Sequence, residues 1–174
     1  IGHWSSELGR MNQYIHMWEY SDVEEMRKLR SELASKEDWK NKFVPLVGPY
    51  ILTQEIRLLR PLTKIKQPNL QTNIYELKII KLNIGQAIKW KDKFLDIVSN
   101  IEGASLNIGI WNTELQDPNE IISIWSHPNI ESMSKYWKDL DENKDWQNFN
   151  AYQENSVKYE ESIILRPSIC SPLK

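Results

Sequence analysis

His3 and His16 are the only side chains in this sequence whose type and spacing could assemble a ligand site. They flank Gly9-Arg10, and in a hairpin turning there, residues whose numbers sum to 19 face each other, so His3 is expected opposite His16. Directly opposed cross-strand residues hold their Cβ atoms about 5 Å apart, close enough for two imidazoles to share a haem iron or part of a metal site. Zinc takes three or four protein ligands, and no third His, Cys or Asp stands at a suitable spacing. Trp18, which follows His16 closely, offers a flat surface on which a ligand could stack. The plainer reading is favoured: histidine pairs on strands usually serve as hydrogen-bonded core or interface residues. His3, His16 and Trp18 are therefore the candidate ligand-binding residues, with no catalytic residue, no metal ligand and no cofactor assigned.

Other chemistry-bearing residues read as structural. Glu7 and Glu114 each sit beside a hairpin turn, and paired carboxylates can do acid–base work, but their recurrence in both halves of the chain points to turn stabilisation. Cys170 lies in a tail of Pro and Ser with no His near it in sequence, which argues against a nucleophile. One cysteine cannot form an internal disulfide, so the fold does not depend on oxidation. The sequence holds no phosphate-binding glycine loop, no G-x-S-x-G and no zinc motif.

Charge excludes one class of partner. The net charge of −2 and the short basic runs at 64–66 and 89–93 do not supply the clustered cations that nucleic-acid phosphates require. No apolar run approaches the roughly 18 residues of a membrane span, and no targeting leader is legible in the opening Ile1-Gly2-His3-Trp4.

The elements that position these residues come in two copies. Slid by 107 positions, Ile1-Gly2-His3-Trp4 falls on Ile108-Gly109-Ile110-Trp111, Glu7-Leu8 on Glu114-Leu115, Trp18 on Trp125, Met26 on Met133 and Trp39 on Trp146. At an offset of 106, Leu59-Arg60-Pro61 falls on Leu165-Arg166-Pro167. Tryptophans recurring in both copies behave as core anchors would. In the second copy, 75–82 alternates as a strand, and Trp90, Phe94, Ile97, Val98 and Ile101 form one helical stripe. Two strands at 106–113 and 120–125 are joined by Gln116-Asp117-Pro118-Asn119. A second helix carries Ile130, Met133, Tyr136, Trp137 and Leu140, and 162–165 is a closing strand. Leu106, Ile108 and Ile110 are expected on one face of their strand and Trp111 with Gly109 on the other. In the first copy, Ser21 and Glu24 are expected to cap the equivalent second helix.

The order is β-α-β-β-α-β, the ferredoxin-like pattern. Strands apolar on both faces require cover on both, so the α+β fold expected is a tandem of ferredoxin-like repeats in a dimeric α/β-barrel unit. The first repeat lacks its first strand and helix, the counterparts of 74–107. The domain plan is thus 1–61 as the second half of the first repeat, 62–73 as linker and 74–174 as the complete second repeat. A strand absent from between the first copy's third and fourth would leave two internal edges unpaired, which favours association.

The block Gly2-His3-Trp4-Ser5-Ser6-Glu7-Leu8-Gly9-Arg10-Met11-Asn12, continuing through Trp18-Glu19-Tyr20, resembles the NIPSNAP family. Lys36-Glu37-Asp38-Trp39, Gln54-Glu55-Ile56-Arg57-Leu58-Leu59-Arg60-Pro61 and the ending from Leu165-Arg166-Pro167 carry the same resemblance. It implies a mitochondrial protein, mainly of the matrix, acting non-catalytically through protein partners as a scaffold, adaptor or accessory subunit. Binding of a haem-type ligand, or a cofactor-free oxygenase using a cavity between the sheets, is the alternative.

Overall fold

The computed structural model describes residues 1–69 and 73–174. Compactness divides the chain into two units, one of Ile1–Met17 with Arg57–Lys174 and one of Trp18–Ile56. The expected linker, 62–73, runs partly outside the described residues, at 70–72.

The larger unit holds a curled, wholly antiparallel sheet of seven strands. In chain order these are β1 (Gly2–Leu8), β2 (Tyr14–Met17), β3 (Leu58–Pro61), β4 (Ile74–Leu82), β5 (Leu106–Leu115), β6 (Glu120–His127) and β7 (Val157–Pro167). Their spatial order is β2-β1-β7-β4-β6-β5-β3. β4 is central to the second copy, paired with β6 on one side and β7 on the other, the place that the β-α-β-β-α-β order gives its first strand. The closing strand spans Val157–Pro167, well beyond the expected 162–165, because it pairs β4 along one edge and β1 along the other.

The copies interlock through a repeated register. β1 pairs β7 at Trp4↔Pro167, Ser5↔Arg166, Ser6↔Leu165 and Leu8↔Ile164. β3 pairs β5 at Pro61↔Trp111, Arg60↔Asn112, Leu59↔Thr113 and Leu58↔Leu115. Under the repeat offsets each pair in the first set maps onto its counterpart in the second, down to the one-residue bulge left at Glu7 and Glu114. The next backbone bonds correspond as well, Ser168 N–H to His3 O and Leu62 N–H to Ile110 O.

Local geometry repeats with it. Gly2 and Gly109 lie beneath the rings of Trp4 and Trp111, where a Cβ would come within 2.1 and 2.6 Å of ring carbons. Gly9 and Gln116 both hold φ at 92°, so the second turn keeps the left-handed backbone without its glycine. A bulge between Asn107 and Gly109 corrects the expected facing of β5. The extra residue shifts the side-chain phase, so Ile108 and Trp111 join one core while Ile110 joins the other.

Both faces of the sheet are apolar. On one, Trp4, Tyr75, Leu77, Ile79, Trp111 and Leu165 pack together, each no more than 7% exposed. On the other lie helices α3 (Ala87–Ile97), α4 (Ile130–Glu142) and α5 (Lys144–Gln153), whose Trp90, Phe94, Tyr136 and Phe149 cover Ile80, Ile110, Ile121 and Trp125. α5 was not anticipated: its apolar stripe is weak, with Phe149 its one buried residue. Asn143 ends α4 and caps α5 by accepting from Trp146 N–H.

In the smaller unit, α1 (Val23–Ser35) is followed by a π-helical turn at Trp39–Phe43, α2 (Val44–Val47) and a 3-10 turn. α1 matches α4 in length and offset. Its cap corrects the expected Ser21/Glu24 box: Asp22 accepts from Glu25 N–H, and Glu25 Oε2 accepts from both N–H and Oγ of Ser21. The box is moved by one residue because Asp22, like Asn129 before α4, is the residue held in extended backbone. No α1 side chain is buried, whereas Met133 and Tyr136 of α4 are.

Candidate functional site

The β1–β2 hairpin brings the two histidines together as the numbering requires: His3 pairs with His16, Trp4 with Ile15 and Gly2 with Met17. Their rings stack with centroids 4.8 Å apart and planes 21° from parallel. Trp4, Ile15 and Met17 turn to the apolar core, so alternation puts the histidines on the opposite face. Of the core or interface placement expected for them, the core one is excluded, since His16 is exposed and His3 half-buried. The Tyr14 and His16 rings meet nearly at right angles, centroids 6.3 Å apart. Burial, and then the facing charge of His3, lower the pKa of His16 below its ordinary value.

Cys170 completes this surface. Its Sγ stands 3.9 Å from His3 Nδ1 and 3.2 Å from Ser168 Oγ. Distance in sequence hid this neighbour: the tail is fastened beside β1 by Ser168 N–H to His3 O and by His3 N–H to Ser171 Oγ. Two imidazoles and a thiol are soft donors, yet among the described residues no group of three or more His, Cys, Asp or Glu is placed to hold a metal ion. What the surface offers is a stacked pair of imidazoles with an accessible thiol.

Trp18 is not the buried core anchor that the repeat suggests. It is 59% exposed, while its counterpart Trp125 is 2% exposed and rests on Tyr136, ring centroids 5.6 Å apart. β2 ends at Met17, whereas β6 continues through Trp125 to His127, so only the second tryptophan is carried on a paired strand.

Glu7 and Glu114 are bulge residues engaged across the copies, and this replaces the turn-stabilising role expected of them. Arg166 Nε lies 2.7 Å from Glu7 Oε2, and Arg60 Nε 2.7 Å from Glu114 Oε1. The hydrogen bond from Arg166 lowers the Glu7 pKa. Being exposed, such pairs help choose register more than they add stability.

A buried polar chain escaped sequence reading. Ser105 Oγ is 2.7 Å from His127 Nδ1, His127 Nε2 is 3.5 Å from Glu76 Oε2, and Trp137 Nε1–H donates to Glu76 at 3.3 Å. Lys78 Nζ bridges Glu76 at 3.5 Å and Glu160 at 2.9 Å. Burial pushes the Glu76 carboxyl up, but the neighbouring His127, Lys78 and Ser162 outweigh it and hold its pKa at about 2. The order hydroxyl, imidazole, carboxylate is that of a hydrolytic triad, yet Ser105, His127 and Glu76 are each at most 1% exposed. A nucleophile sealed in this way meets no substrate, and the chain reads as a buried structural network in which His127 Nε2 makes no hydrogen bond. These residues are far apart in sequence, and a single Glu within an apolar strand was their one visible signal.

Similarity to known proteins agrees with this architecture. Residues 1–64 and 75–172 match the NIPSNAP family. The mouse protein NipSnap homolog 3B is 29% identical over 184 residues, covering all of this chain and 72% of that protein. Human NipSnap homolog 3A is 28% identical over 183 residues with the same coverage. Among solved structures, a NIPSNAP family protein of unknown function from Agrobacterium tumefaciens superposes with a TM-score of 0.56 at 20% identity, over 63% of this chain and all of that one. A putative monooxygenase from Lactobacillus acidophilus gives a TM-score of 0.51 at 17% identity, over 80% of this chain and 65% of that one; at such identity the likeness is one of fold. With a family match running over nearly its whole length and a fold to agree with it, the chain belongs to the NIPSNAP family.

Proposed function

We propose that this chain works by protein–protein association, as a scaffold, adaptor or accessory subunit of a larger mitochondrial assembly, and that it is not a catalyst. In this reading it is a tandem of ferredoxin-like repeats of the dimeric α/β-barrel type. The observation that carries it is the apolar surface of the smaller unit. There Leu46, Tyr50 and Leu52 are 71%, 82% and 94% exposed, alongside Val23, Leu29, Leu33, Phe43 and Val44 at 40% or more. Single exposed hydrophobics are ordinary, but a concentration of them within one short segment marks an interaction surface. The carboxylates available for acid–base chemistry, Glu7, Glu76 and Glu114, are engaged in ion pairs, which supports the same reading. The mitochondrial setting rests on membership of the family. Among the described residues no helix is long and apolar enough to cross a membrane, so contact with one is assigned to partners.

Purification from the native source under mild conditions, followed by sizing and identification of what co-purifies, tests the proposal. A stable assembly well above the 20.6 kDa of the chain is expected. A lone monomer in the native extract would overturn it.

The second reading is a haem-type binder or cofactor-free oxygenase. The stacked His3–His16 pair favours it, as does fold likeness to proteins described as putative monooxygenases. It is the weaker of the two, because Trp4, Tyr75, Trp111 and Leu165 fill the face where a cavity between sheets would lie. A visible absorbance titration with haem separates the readings: saturable one-to-one binding that His3→Ala and His16→Ala abolish would favour the second.

A further inference from the structure

Between α3 and α5 of the second copy runs a surface groove of about 220 Å³. α3 contributes Lys93, Asp96 and Ile97, and α5 contributes Asp145, Phe149 and Tyr152, spacings that set each group on one face of its helix. Phe149, 4% exposed, is the floor. Lys93 Nζ lies 5.6 Å from the ring centroid of Tyr152, and Asn100 Nδ2 donates to Asp145 Oδ2 at 3.0 Å. These contacts make the helices antiparallel, with the Lys93 ammonium toward one end of the groove and the carboxylates of Asp96 and Asp145 toward the other.

Local chemistry accounts for one of these carboxylates and not for the other. Asp145 stands in the first turn of α5, where the free amides of a helix start favour an anion. Asp96 stands in the last turn of α3, beside free carbonyls that disfavour one, and that turn holds no basic residue. The neighbouring lysines are directed elsewhere, Lys91 to Asp92 Oδ1 at 3.5 Å and Lys93 to Tyr152. Among the described residues neither Asp96 nor Asp145 carries an ion pair. An aromatic floor leading to two unneutralised carboxylates is complementary to a long side chain that ends in a cation.

We propose that this groove receives an arginine side chain of a partner protein, its stem over Phe149 and Tyr152 and its guanidinium N–H groups shared between Asp96 and Asp145. Arginine fits better than lysine, because its planar fork can span two carboxylates where an ammonium is a point charge. It is also the charged residue that protein interfaces favour as an anchor. Such a contact deepens the association reading, on which it rests, by naming what the partner offers, and it can be absent while that reading stands.

The probe is Nα-acetylarginine amide, titrated into the intact chain and followed by the shifts of backbone amide resonances. Saturable change centred on the amides of 93–97 and 145–152 is expected. The matching citrulline compound, which keeps the stem and loses the charge, should bind about tenfold more weakly. The double variant Asp96→Asn, Asp145→Asn should show a similar loss of about tenfold. Asp96→Asn alone should raise the thermal midpoint by about 2 °C, since it relieves an anion at a helix C-terminus. Lys93→Gln should strengthen binding about threefold by removing a like charge from the groove. No saturable change in a folded chain, equal binding of the citrulline compound, undiminished affinity in a folded double variant, or a lowered midpoint for Asp96→Asn would each overturn the proposal. The citrulline comparison uses the native chain and decides whether or not the double variant folds. Free arginine binding more tightly than the blocked compound would also overturn it, since the groove would then be a small-molecule site. A native assembly that persists alongside such a result would leave the association reading intact and locate its interface elsewhere.

Discussion

The histidine pair shows how a single register decides the chemistry of two side chains. Opposed across β1 and β2, stacked at 4.8 Å, they resist being charged together, and burial with the facing His3 depresses the pKa of His16. The unfolded chain has no such opposition and takes up its proton near the ordinary value of about 6.5. Over the interval below that value the unfolded state therefore binds more protons than the folded one, so stability from this group rises with pH and falls on acidification. Below about pH 6 the β1–β2 hairpin should open more readily, seen as faster exchange at the inward-bonded amides of Ile15 and Met17 after correction for intrinsic rates. His16→Ala should flatten that dependence; an unchanged profile would mean the pair exerts no such opposition. Glu7 and Glu114 carry a related lesson, since their role became visible only when strand pairing brought Arg166 and Arg60 against them.

The two hairpin turns are a comparison provided by the chain itself. Gly9 and Gln116 occupy equivalent positions with φ at 92°, a region where a Cβ meets steric resistance that glycine does not. Gln116→Gly should therefore raise stability by about 1 kcal/mol, the relief of strain exceeding the added freedom of the unfolded chain. Gly9→Ala should cost more than that, because its Cβ would also stand 2.9 Å from Ser162 O. Urea denaturation of both variants checks the pair, and opposite signs are the expected result. The helices differ in another way. α1 and α4 share length and cap type, and only α4 buries side chains, so equal local signals led to unequal burial.

For the whole molecule, the sheet order predicts a gradient of local stability. β4 is bonded on both flanks through nearly all of its length, and β2 and β3 on one flank over 4 residues each. Amides of Leu77 and Ile79 should exchange only by global opening, while those of the two edge strands exchange by local fraying. Uniform rates across the sheet, or rapid exchange at Leu77, would contradict the topology. The reciprocal pairing of β1 with β7 and β3 with β5 also means that neither copy can unfold without baring an edge of the other.

The duplication, the strand order within the second copy, the opposition of His3 and His16 and the central place of β4 were legible in the residues. Each rests on periodicity or on a short turn, which are local properties. The burial of Trp125 against the exposure of Trp18, the phase change at Ile108, the meeting of Cys170 with His3 and the Ser105–His127–Glu76 chain were not. All of these depend on which strand lies beside which, at separations that reach 167 residues. Identical local sequence signals cannot encode a neighbour's presence. Only hydrogen bonding between distant strands settles which copy of each repeated residue is covered and which faces water.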